Sequence, residues 1–281
     1  MRGWLLGIFA WAVMNAASGA QPAPGALAWR NAAVIGGGAL AVGVYGMSKW
    51  WSDGFTGEFH TVNEGWFARD TPYGGADKLG HAYFSYAGTR LLARGFESIG
   101  NDSAQALRLG LWSTLGIMTA VELADGYSKR FAFSAQDVAM NVAGAGLGYL
   151  MERHPRLDRL FDFRLHYWPS HDSDFDIAGD YSGQTYLIVA KASGVPALRG
   201  NPWLRYFELA AGYGTRDYDE LGPGRGTRHL YFGISLNLSE LLRRTVYHDD
   251  ATPSRTQRAS EMLFEYIQLP GTAVPLVDHK F

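Results

Sequence analysis

The sequence predicts an α+β protein: a small N-terminal bundle of about four helices, membrane-embedded or membrane-apposed, followed by a small antiparallel β-sheet. Three observations predict it. Low-charge segments with helical spacing fill residues 29–153, and beyond residue 181 the apolar period becomes two. Charged residues make up 19% of the chain against 47% hydrophobic, leaner than the roughly 25% charge of typical soluble domains. Such a deficit points to a membrane or an oligomer interface.

Composition also excludes several classes. The 281 residues allow one large domain or two modest ones. With 25 Lys+Arg against 27 Asp+Glu and no block of like charge, nucleic acid is not an expected partner. There is no cysteine, so these residues supply no disulfide, thiolate zinc site, Cys nucleophile or acylated Cys.

Taken in order, Arg2, the apolar run Trp4 to Met14 and the small residues Ser18 and Ala20 read as a secretory signal peptide over residues 1–20. An uncleaved anchor is the alternative. A helical domain follows over residues 29–153. Its first helix, Asn31 to Ser48, carries no charge and is closed by Trp50-Trp51. The length approaches the ~20 residues of a membrane span, with the Trp pair as an interfacial anchor. Its Gly and Ala fit a buried helix packed through small residues nearly as well.

Residues 52–75 read as a loop or short lid. Ala76 to Gly95 has apolar positions Leu79, Tyr83, Tyr86 and Leu91-Leu92 at spacings of roughly three and four, with Arg90 and Arg94 marking an end near a surface. Asn101-Asp102-Ser103 supplies an N-cap for a helix over Ala104 to Ala124, stopped by Asp125-Gly126. Ser134 caps a helix over Ala135 to Glu152, whose Gly144 and Gly148 allow close backbone approach.

Residues 154–180 are charged and aromatic and read as a linker. An antiparallel β region follows over residues 181–270, and residues 271–281 form a tail. Strands are expected at Gln184 to Lys191, Arg205 to Tyr213 and His229 to Leu238, with a short apolar segment at Met262 to Leu269. In the third strand Leu230, Phe232, Ile234, Leu236 and Leu238 share one face. Three or four strands do not close a barrel, but they make a small sheet packed on something, or a share of an oligomeric one.

The chemistry concentrates between Asp77 and Leu150. Asp77 and His81 are four apart with Lys78 beside them, Glu122 and Asp125 three apart, and Asp137 and Asn141 four apart. Each pair lies on one helical face. In a bundle the pairs meet at one end, with Lys129 and Arg130 in the turn above. A His with carboxylates serves acid–base chemistry or ligates a divalent cation. The same groups, paired with Lys78 or Arg130, equally make a hydrogen-bonded network that fixes helix register.

Other signals are weaker. Asp172, Asp174 and Asp176 begin like a calcium loop, but Ile177 stands where Gly is required and Gly183 where Glu is required. Gly222 to Gly226 has no following helix to cradle a phosphate. No cofactor is expected, and the metal question stays open.

The elements DKLGHAYFSY, VELADGYS, FSAQDVAMNVAGAGLG, DYSGQTY and AGYG resemble the YfiM-like family of uncharacterised bacterial envelope proteins, over roughly Val42 to Leu269. A more distant similarity is to VanZ-like membrane proteins, whose pattern falls on Asp77, Lys78, His81, Glu122, Arg130, Ser134, Asp137, Asn141 and Gly144. Where those proteins usually carry Gln, this chain has Asp125. The resemblance implies an exported, membrane-associated protein on the periplasmic side of the cell envelope. With it, the site expectation is Asp77, His81 and Asp137 as catalytic groups, and Lys78, Glu122, Asp125, Arg130, Ser134 and Asn141 as ligand-binding groups. The role expected is binding or positioning a lipid or cell-wall intermediate. The alternatives are a hydrolase or transferase acting on a lipid headgroup, and a structural partner that uses the sheet edge to dock another envelope protein.

Overall fold

A computed structural model describes residues 24–170, 175–218, 226–248 and 253–281. The signal-peptide stretch, Asp172, Asp174 and most of the Gly222 to Gly226 loop lie outside the described residues. The chain divides into two compact units, Met1–Glu64 with Phe84–Arg153 and Gly65–Tyr83 with His154–Phe281. The division passes through one helix.

In chain order the helical part holds α1 (Pro24–Ser48), a two-residue strand β1 (Thr61–Val62), α2 (Ala76–Ser98), α3 (Ser103–Tyr127), β2 (Phe133–Ser134) and α4 (Ala135–Arg153). The long helices lie where the spacing places them. Asp102 caps α3 by accepting the Gln105 N–H at 2.9 Å, and the Ser134 hydroxyl accepts the Asp137 N–H at the start of α4. Such caps contribute about 1 kcal/mol each. Gly25–Ser48 of α1 is the one described helical segment long and apolar enough to cross a membrane, and little of it is buried.

The first unit packs around the second half of α2. Leu92 and Phe96 of this helix, with Ile99 just past its end, meet Ala106, with Val34, Leu109 and Ile117 against them. Glycine sets the helix spacing: a Cβ on Gly110 would lie 2.5 Å from the Thr89 carbonyl, and one on Gly148 2.7 Å from that of Tyr86. These close approaches let α2 be buried on nearly every side. Arg90, expected near a surface, is therefore fully buried. Its guanidinium is held by Glu152 at 2.7 Å and by the Tyr86 hydroxyl, which is what makes the burial tolerable. Trp51, expected as half of an interfacial pair, is also buried.

The second unit contains α5 (Pro155–Leu160), β3 (Phe161–Tyr167), β4 (Gln184–Lys191), α6 (Pro196–Arg199), β5 (Phe207–Arg216), β6 (Thr227–Leu236), α7 (Leu238–Thr245), α8 (Arg255–Tyr266), β7 (Ile267–Gln268) and β8 (Ala273–Lys280). One sheet runs β7-β3-β4-β5-β6-β8, antiparallel except for the β3–β7 pair. It is thus larger than the three or four strands expected. The stretch read as a linker holds α5 and β3, and the stretch read as a tail is β8. The apolar Met262 to Leu269 run is mostly the end of α8. β3 does alternate, with Phe161, Phe163, Leu165 and Tyr167 at period two, and what alternation does not reveal is that Asp162 and Arg164 between them are buried as well.

One face of the sheet buries an ionic cluster beside Leu187 and Val189. Arg164 bonds Asp162, Glu208 through both carboxylate oxygens at 2.7 and 2.8 Å, and Gln268 at 3.0 Å. Lys191 reaches Asp162 at 2.5 Å, and the Ser235 hydroxyl donates to Glu208 at 2.9 Å. The apolar side of β6, which the alternation suggests as a core face, is the exposed one.

Candidate functional site

In the first unit the end of α3, the β2 turn and the start of α4 collect most of the expected acidic and amide residues. Glu122 sits on the last turns of α3, buried, and accepts the Ser134 N–H and the Asn141 amide at 3.4 Å. Asn141 in turn accepts the Ser85 hydroxyl at 3.0 Å. Ser85 lies one helical turn after His81 on α2. Asp137, one turn before Asn141 on α4, places a carboxylate oxygen within 4.8 Å of that of Glu122, and likewise of that of Glu64.

The strap between α1 and β1 closes over this end. The Trp51 indole N–H donates to Asp125 at 2.7 Å. Thr56 and His60 N–H groups donate to the carbonyls of Tyr127 and Gly126 at the α3 terminus. β1 then pairs in parallel with β2, Thr61 opposite Phe133 and Val62 opposite Ser134. Phe59 fills the space beside Gly126, where any Cβ would strike its ring, so a glycine is needed at that position.

Four acidic side chains near one another in a dry place repel. Burial is the largest cause that raises Glu122, to about 9, with the charges of Asp137 and Asp125 adding and the Ser134 and Asn141 hydrogen bonds opposing. Burial likewise raises Asp125 to about 7, against the Trp51 hydrogen bond and with Asp137 and Glu64 adding. At neutral pH Glu122 is a protonated donor, and Asp125 is poised near half-ionisation. Such an array can donate and accept hydrogen bonds to hydroxyl or amine groups, exchange a proton, or lend Asp137 with either Glu122 or Glu64 to a divalent cation, the acids then losing their protons.

Asp77, Lys78 and His81 occupy the first turns of α2, in the part of the chain that belongs to the second unit. Lys78 and Asp77 form a buried ion pair of 2.7 Å. Tyr186 of β4 lies against Gly80, where a Cβ would stand 2.9 Å from its hydroxyl, and it donates to Gln184 at 2.5 Å. Its burial, with Asp77 and Tyr83 nearby, holds the phenol protonated well above its ordinary range. Tyr83 donates to the Tyr266 carbonyl at 2.7 Å. His81 is half-buried. Arg130 is exposed, its guanidinium 5.2 Å from the Phe131 ring.

Sequence reasoning missed Trp51, Glu64 and Ser85. Ser85 was within reach, being four residues after His81 on one helix. Trp51 and Glu64 lie in the aperiodic stretch between α1 and α2, on either side of β1, so no spacing rule marks them.

Residues 63–153 match the profile of a family described as predicted periplasmic lipoprotein (DUF2279). No curated protein and no solved structure matches the chain. The matched stretch spans α2 to α4. The chain is an exported bacterial cell-envelope protein, membrane-associated on the periplasmic side. Within these 281 residues there is no cysteine to carry a lipoprotein's acyl chains.

Proposed function

We propose that the protein binds or positions a lipid or cell-wall intermediate at the acidic end of α3 and α4. The observation that carries this reading is Glu122: a carboxyl group placed in a dry site beside Asp137 and Asp125, its pKa raised to about 9. A network built only to hold helices together gains little from such crowding, since apolar residues of similar volume often pack as stably or better. Perturbed acids cluster where they are used. The neutral Glu122 would donate to, and Asp137 accept from, the hydroxyl or amine groups of a glycan-bearing or lipid-headgroup ligand. The YfiM-like and VanZ-like resemblances point to the same envelope chemistry.

The test is a set of near-isosteric variants, Glu122→Gln, Asp137→Asn and Asn141→Asp, expressed at native level in a deletion strain. The expected result is variants that melt within a few degrees of the parent but fail to restore resistance to cell-wall antibiotics and detergent. Folded variants that complement fully would sink the reading and leave a structural network.

A second reading is favoured by Asp137, whose carboxylate lies within 4.8 Å of those of both Glu64 and Glu122. The acids would then hold a divalent cation for a hydrolase or transferase acting on a lipid headgroup. Metal analysis of protein purified without chelator, with a headgroup-release assay, separates the two: bound metal and turnover support the enzyme, and absence of both rejects it.

A further inference from the structure

On its β5, β6 and β8 side the six-stranded sheet is inverted relative to one that faces water, whereas Phe163, Leu165 and Tyr186 on the same face of β3 and β4 are buried. Along β5 the exposed positions are Phe207, Leu209 and Ala211, while Glu208 is buried. Along β6 Leu230, Phe232 and Ile234 are exposed, while Ser235 is buried. The register joins these into one surface: Ile188 stands opposite Ala211, Leu209 opposite Ile234, Phe232 opposite Val277 and Ile234 opposite Val274. Leu209 is 68% exposed and Val274 59%, while Arg164 and Glu208 on the opposite face are 3% and 1% exposed. A soluble antiparallel sheet places its apolar face on the core and its polar face in water. Apolar patches of this breadth mark sites covered by a partner or by lipid.

We propose that this apolar face is a lipid-contact surface, lying face-down on the bilayer leaflet. Three observations select lipid as the occupant. First, the rim at the start of β5 is built for an interface. Residues 191–206 contain no Asp or Glu, and Trp203 and Leu204 are exposed there beside Arg199 and Arg205. Both guanidiniums rest on backbone carbonyls, Arg199 on Ser193 and Arg205 on Asn201 and Gly200. Among the described residues neither meets a carboxylate, so their charge is left for anionic headgroups. Trp and Arg at the border of an apolar surface are the composition of a membrane interface. Second, the protein is membrane-associated, and an apolar helix with little buried area is found in the other unit as well. Third, the sheet ends in open edges at β7 and β8 among the described residues. An open edge cannot cross the hydrocarbon with its backbone groups unpaired, so the sheet lies on the leaflet and does not span it.

The absence of native cysteine makes the test direct. The full chain is prepared as L209C, F232C and, on α8 where Arg258 is exposed, R258C, each labelled with an environment-sensitive nitrobenzoxadiazole probe. Each is added to vesicles of phosphatidylethanolamine and phosphatidylglycerol with brominated acyl chains, after a thermal melt confirms the fold. The expected result is a blue shift and bromine-dependent loss of emission for L209C and F232C but not for R258C. Vesicle-bound protein whose L209C and F232C probes stay water-like and unquenched overturns the proposal. So does failure to bind vesicles, or a probe already buried without lipid together with efficient F232C–F232C disulfide formation, which would assign the face to a second copy.

Discussion

The indole N–H of Trp51 donates to the carboxylate of Asp125 across 2.7 Å, joining residues 74 apart in sequence at the closed end of the helical unit. This hydrogen bond favours the ionised form of Asp125, while burial and the charges of Asp137 and Glu64 favour the neutral form. Trp51→Phe keeps the ring and removes the donor. The Asp125 pKa, about 7 in the parent, should then rise further. Carboxyl carbon chemical shifts followed from pH 4 to pH 9 check this, and an unmoved midpoint would contradict the role given to Trp51.

Glu122 makes stability depend on pH in a defined direction. Its folded pKa is about 9 against an ordinary 4.5, so the unfolded chain loses the proton first as pH rises. The stability it contributes is complete below about 4.5 and is lost progressively towards pH 9. Glu122→Gln removes that titration. Its Tm should gain on the parent by several degrees between pH 5 and pH 9, where about 1 kcal/mol corresponds to roughly 2–4 °C for a domain of 150–250 residues. A constant difference across that range would mean Glu122 ionises normally.

Arg164 compensates two buried acids at once. Arg164→Met strips the counter-charge from Asp162 and Glu208 and should cost about 3–5 kcal/mol. The triple variant D162N/R164M/E208Q, with no buried charge left among these three residues, should recover most of it. Urea unfolding of the three proteins measures this, and a triple variant no better than the single one would point to lost packing instead.

Two glycines on α4 separate helix spacing from helix propensity. Gly148→Ala drives a methyl group to 2.7 Å from the Tyr86 carbonyl, whereas nothing lies within 4 Å of a Cβ on Gly146. The first should destabilise by about 1–3 kcal/mol and the second stabilise by roughly 0.5–1 kcal/mol, both read from thermal melts.

Much of the helical half was legible because caps and glycine spacing act locally: Asp102, Ser134 and Gly148 do in the fold what their positions suggest. The fate of Arg90 was not legible, since a buried arginine needs a partner, Glu152, that lies 62 residues away on another helix. β4 was found because its run of apolar and aromatic residues is dense, whereas β3, though Phe161, Phe163, Leu165 and Tyr167 alternate, is short and sits in a charged stretch, and nothing local says that Asp162 and Arg164 are buried. In β6 Leu230, Phe232 and Ile234 share a face as the alternation shows, but alternation alone does not say which face is inward, and this one is exposed. Of the site, Glu122, Asp125, Ser134, Asp137 and Asn141 could be read from spacing and family pattern. Trp51 and Glu64 could not, because the stretch between α1 and α2 that delivers them has no period.

The ion cluster beneath the sheet also acts as a check on strand register. Arg164 draws Glu208 from 44 residues downstream and Gln268 from 104. A chain exported N-terminus first therefore presents this guanidinium long before its last partner has emerged. A one-residue slip of β3 would carry Asp162 and Arg164 away from Lys191, Glu208 and Gln268 and put Phe163 or Leu165 in their place, so a wrong register loses the cluster's ion pairs. The cluster thus favours one joint register of β3, β4, β5 and β7, and it is complete only when residue 268 has joined the sheet.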